Sequence, residues 1–104
     1  MKIISESNSL KTLEENKGYE INYGNIKKGS NTKVDIIFKG VTFLNYEKSC
    51  GCTTPTVVIL DEGFKISISY DQNKVGTINQ YVDVFVSEEK IEKKIRFNLK
   101  GQIL

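Results

Sequence analysis

Cys50 and Cys52, the only two cysteines of this 104-residue chain, flank one glycine in "KSCGCTTPTVV" (residues 48–58). The only proline, Pro55, follows three residues later. Two thiols at this spacing can ligate a metal, exchange disulfides, close into a small ring, or pack as small apolar side chains. A structural zinc site takes four ligands, usually Cys or His. The chain has no histidine, and the carboxylates that follow the pair, Asp61 and Glu62, lie beyond an apolar run. Two subunits could pool four thiolates, and a soft monovalent ion such as Cu(I) needs fewer ligands. Cys50 and Cys52 are therefore the candidate metal ligands, as an alternative to the reading adopted below.

Other chemistries fit less well. A thioredoxin-like motif is C-x-x-C opening a helix, whereas here a proline and a β-branched run follow. A cysteine nucleophile normally needs a histidine base. No phosphate-cradling G-x-x-x-x-G-K-[ST] loop is present, and adjacent Asp61–Glu62 in a turn reads as a solvated pair. No catalytic residue is assigned, no cofactor is expected, and the chain is read as a non-enzyme. The adopted reading of Ser49, Cys50, Gly51, Cys52, Thr53, Thr54 and Pro55 is structural: a strand end, a corner and a new strand start. Buried cysteines would fill small apolar space, Gly51 would admit a close neighbour, and the threonine hydroxyls would serve turn backbone groups. Pro55 would block strand continuation and hold Thr54 extended.

The elements around this corner follow from period-two alternation. "VDIIF" places Val34, Ile36 and Phe38 on one face. "VTFLNYE" (Val41–Glu47) changes face between Phe43 and Leu44, which implies a bulge or a half-buried edge. "VVIL" (Val57–Leu60) is a short apolar run. "FKISISY" (Phe64–Tyr70) turns Phe64, Ile66, Ile68 and Tyr70 inward. "INQYVDVFVS" (Ile78–Ser87) sets Val82, Val84 and Val86 against Tyr81, Asp83 and Phe85. "KKIRFNL" (Lys93–Leu99) sets Ile95, Phe97 and Leu99 against Lys94, Arg96 and Asn98. Turns fall at "YGNIKKGSN" (Tyr23–Asn31), Gly40, "LDEGF", "YDQNKVGT" (Tyr70–Thr77) and "SEEKIEKK" (Ser87–Lys94). Only "NSLKTLEENKG" (Asn8–Gly18) has helical spacing, through Leu10 and Leu13. The expected fold is all-β: a single immunoglobulin-like antiparallel sandwich of about seven strands, with a small barrel as the main competitor. The length fits one domain, residues 1–104, with residues 1–18 an N-terminal extension and 19–104 the core.

Composition narrows the partners. A net charge of +2 with Lys and Glu interspersed is too weak and mixed for a nucleic-acid footprint. No run of 18 apolar residues exists, so no membrane span is expected. "MKIISESNSL" lacks the apolar stretch of a secretory signal, which favours use without Sec export. Lysine outnumbers arginine 14 to 1 and alanine is absent, a bias that points to an A/T-rich bacterial or phage genome.

"SCGCTTP" resembles the hallmark of a bacterial and phage family of small immunoglobulin-like domains related to the Hydin type. "YEINYGNIKKGS" (Tyr19–Ser30) is similar to that family's opening strand and turn, "KVDIIFKGV" (Lys33–Val41) to its second strand, and "IRFNLKGQI" (Ile95–Ile103) to its last. The resemblance covers residues 19–104 and implies a sandwich with a non-enzymatic role and no catalytic residues to carry over. The resulting expectation is an accessory protein of a larger assembly, bound to the capsid protein on the surface of a phage or other virion. The alternatives are a cell-envelope binding module and a metal- or thiol-responsive module that uses the C-G-C pair.

Overall fold

A computed structural model describes residues 1–5, 18–29, 32–70 and 75–104, and the backbone of 10–12. The described residues are all strand, turn and loop, with no helix. The strands are β1 (Lys2–Ile4), β2 (Leu10–Thr12), β3 (Tyr19–Ile26), β4 (Val34–Lys39), β5 (Thr42–Lys48), β6 (Thr53–Leu60), β7 (Gly63–Tyr70), β8 (Gly76–Glu88) and β9 (Ile91–Ile103). They form a four-stranded sheet, β1-β4-β7-β6, and a five-stranded sheet, β2-β3-β9-β8-β5.

Alternation dictates how the sheets meet. Side chains two apart point to one face of a strand, and Val34, Ile36 and Phe38 of β4 are buried with Phe64, Ile66 and Ile68 of β7. Val82, Val84 and Val86 of β8, with Phe97 and Leu99 of β9, face them from the other sheet. Phe38 stacks on Phe64 at 4.5 Å within the first sheet and meets Phe97 edge-on at 6.0 Å across the gap. Phe43 of β5 meets Phe64 edge-on at 5.1 Å. Such ring pairs add about 0.5–1.5 kcal/mol each beyond their burial. The result is a sandwich-like body with one apolar layer.

Several sequence expectations are refined. The face change in "VTFLNYE" is a bulge between Phe43 and Asn45, on the edge strand β5. Leu10–Thr12, inside the segment with helical spacing, is a strand antiparallel to β3; sheet pairing overrides a weak local pattern. The rest of that segment up to Lys17, and the loop positions 30–31 and 71–74, lie outside the described residues. The strand pairs are antiparallel except β3 on β9, which run parallel with a register shift between Asn22 and Asn25.

The "SEEKIEKK" tip is tighter than its composition suggests. β8 and β9 pair up to Glu88 and Ile91, leaving a two-residue turn. Glu89 and Lys90 both take positive φ, 51° and 68°, the left-handed pair that matches the twist of a hairpin. Beside the turn, Glu88 accepts a hydrogen bond of 2.5 Å from Lys93 Nζ and pairs with the amino group of Met1. The Lys93 hydrogen bond comes first among the causes that lower its pKa from 4.5 to about 2. A depressed carboxylate pKa supports the fold above the ordinary carboxylate range, and that support fades as pH falls from about 4.5 through about 2. NMR titration of Glu88 is expected to give a midpoint near 2, and Lys93→Met is expected to move it up toward the ordinary value. A wild-type midpoint at the ordinary value would contradict the pairing.

Candidate functional site

β5 is the edge of one sheet and β6 the edge of the other, so the chain must cross the sandwich between Lys48 and Thr53. Ser49, Cys50, Gly51 and Cys52 make that crossing. Ser49 leaves the five-stranded sheet under restraint: its N–H donates to the Tyr81 carbonyl at 3.0 Å, and its hydroxyl accepts from the Tyr81 N–H at 2.8 Å. The same hydroxyl contacts Gln80 Oε1 at 2.7 Å. Thr53 enters the four-stranded sheet fully buried. Its N–H donates to the Cys50 carbonyl at 3.4 Å and its hydroxyl to the same oxygen at 3.2 Å. Lys48 Nζ reaches across the corner to the Thr53 carbonyl at 2.9 Å. Both ends of the crossing are thus fixed by hydrogen bonds.

Cys50 and Cys52 are joined to each other as a disulfide, with Cα atoms 5.2 Å apart. The Cys52 N–H also points at Cys50 Sγ, 3.1 Å away. Both residues are half-buried rather than enclosed in the core, which corrects the expectation of buried apolar cysteines. A metal ligand is the thiolate, so the pair is available to a metal only after reduction. Among the described residues, no group of three or more His, Cys, Asp or Glu is arranged to hold a metal ion.

Two other expectations change. Gly51 does not admit a close neighbour, since a Cβ built there meets nothing within 4 Å. Gly63 and Gly18 do so instead, where a Cβ would overlap the Phe38 and Arg96 carbonyls respectively. Pro55 does not block the strand but lies inside β6, buried and in register with Ile68. An edge strand bonds on one side only, so a proline whose nitrogen faces outward removes no ladder bond. Thr54 is exposed beside Ser69 in the same pairing.

One polar cluster escaped sequence reading. Asp83, on the outer face of β8, is only 3% exposed. Arg96, directly opposite on β9, grips it with two hydrogen bonds of 2.8 and 2.9 Å. The guanidinium also lies 4.0 Å over the Tyr81 ring, a cation–π arrangement. The Asp83 hydrogen bond raises the Arg96 pKa. The signal was a pair of opposite charges on outward positions of consecutive strands, unreadable without the register. The cluster ties β8 to β9 and engages its own charges, on the strand whose Tyr81 anchors Ser49.

Comparison of the chain with protein-family profiles, with curated proteins and with solved structures finds no match.

The disulfide closes a very short loop, and loop-closure entropy for three residues is on the order of 1–2 kcal/mol. The double variant Cys50→Ser/Cys52→Ser is expected to lose about that much stability in urea unfolding, because Ser49, Thr53 and Lys48 still hold the corner. A variant that does not fold would show that the disulfide, rather than the hydrogen bonds, makes the crossing.

Proposed function

We propose that this chain is a non-enzymatic interaction module of immunoglobulin-like type, an accessory protein on the surface of a phage capsid or other virion. The observation that carries the reading is how its reactive residues are used. Cys50 and Cys52 bond to each other, Ser49 holds Tyr81, and Asp83 and Arg96 grip one another. Polar groups that could serve chemistry instead hold strands and a sheet crossing, as suits a module that binds through its surface. The sandwich-like body and the position of "SCGCTTP" at a sheet-to-sheet corner support the resemblance to the Hydin-related family. The lysine-, isoleucine- and asparagine-rich usage fits a phage setting.

The disulfide favours a second reading, a cell-envelope binding module. Disulfides persist in oxidising surroundings, which include the periplasm, the cell surface and released virions, and are rare in cytosol.

Co-sedimentation separates the two. The virion reading expects the purified protein to pellet with assembled shells of a phage from the same host, at a fixed ratio to the shell protein. Recovery only in the envelope fraction of the host, with no binding to any assembled shell, would replace it with the envelope reading.

A further inference from the structure

Among the described residues the sandwich has four sheet edges, and three are guarded. An open edge is a template for another strand unless it is short, charged, bulged or covered. β1 and β2 are three residues each and carry Lys2 and Lys11. β5 has its bulge after Phe43 and carries Glu47 and Lys48. β6 runs eight residues, Thr53–Leu60, without one charge. Among the described residues it pairs with β7 alone.

The direction of its backbone groups follows from its neighbours. Tyr70 of β7 turns its N–H and carbonyl away from β6, and both bond to the Thr32 hydroxyl at 2.7 Å. Thr53, opposite Tyr70, therefore turns its own groups outward, where Cys50 and Lys48 meet them. Antiparallel ladders alternate, so Pro55, Val57 and Ile59 face outward as Thr53 does. Pro55 has no N–H to offer. The open half of the edge is thus Val57 to Ile59, with two donors and two acceptors.

A groove of about 370 Å³ opens beside that half, between β5 and β6. Its apolar walls are Val41 and Phe43 on one side and Ile59 and Leu60 on the other. Ile59 is 69% exposed although its register faces the sandwich interior. Asp61, Glu62 and Glu89 line the groove, and no lysine or arginine does.

We infer that the Val57–Ile59 edge of β6 is a docking site for an extended segment of a partner protein. The segment would carry an apolar side chain for the groove and a basic residue at the end beside Leu60. Backbone hydrogen bonds would give the affinity and the groove the specificity, as in strand addition generally. The acidic rim selects a cationic segment over a second copy of β6, which would bring the same acids with it. This rests on the interaction-module reading and names its surface.

The test uses a short fluorescein-labelled peptide of alternating valine and threonine with a lysine pair at one end, made with the pair at either terminus. One orientation is expected to bind in fluorescence anisotropy and to shift the Val57 and Ile59 amide signals. Ile59→Pro removes one outward donor from an exposed position and is expected to weaken binding by about tenfold while the thermal transition is retained. Asp61→Lys/Glu62→Lys, on the turn, is expected to weaken it by a similar factor and to reduce its salt dependence. Absence of binding in both orientations, binding by either variant as tight as by the wild type, or concentration-dependent self-association through β6 would each overturn the assignment. The assembly reading is tested apart from it. Co-sedimentation that survives Ile59→Pro leaves that reading standing and removes this surface; peptide binding without co-sedimentation does the reverse.

Discussion

The structure depends on one apolar layer shared by two sheets. Phe38 and Phe64 stack in one sheet, and Phe97 reaches Phe38 from the other. The valines of β8 complete the far wall. A strand can give only alternate side chains to such a layer, so the central strands alternate and most of their other positions are left to polar residues. A single slip of register would turn the apolar set to solvent. That penalty is what holds β4, β7, β8 and β9 in place, and it makes the outer faces free to carry ion pairs such as Asp83–Arg96.

A sandwich also forces the chain to cross between sheets, and the crossings explain residue types that the core does not. Gly40, with a φ of 79°, turns the chain from β4 toward β5. Its N–H donates to the Glu62 carbonyl at 2.8 Å, joining this turn to the β6–β7 hairpin. The crossing from β5 to β6 is made by Ser49–Cys52, and there a disulfide shortens the path while Ser49 and Thr53 bond each end. The cysteines, serine and threonine act together as one strap between two edge strands. The groove opens where β5 and β6 part, at the far end of β6 from that strap.

Legibility followed the periodicity. β4, β7, β8 and β9 could be read because each buries a run of alternate apolar side chains, and the bulge in β5 showed as a change of face at Phe43–Leu44. The pairing of Leu10–Thr12 with β3 and the parallel β3–β9 ladder could not, because both depend on partners far away in sequence. Glu89–Lys90 hid its turn type, since neither residue is one of the usual left-handed formers. In the candidate site, the corner was visible from the C-G-C spacing and the proline, but the half-buried disulfide was one of several open outcomes. Pro55 misled because a lone strand read from sequence does not disclose whether it lies at an edge. The same ignorance of edges concealed the open side of β6, where the apolar run "VVIL" reads equally as core.

The open edge of the sandwich comes from the one-sided bonding of β6. Amide hydrogen exchange of the free protein, followed by NMR residue by residue, measures it. The Thr56, Val58 and Leu60 amides, which face β7, are expected to be protected, with Val57 and Ile59 exchanging far faster. Uniform protection along Thr56–Leu60 would contradict the account, because the second side of the strand would then already be covered.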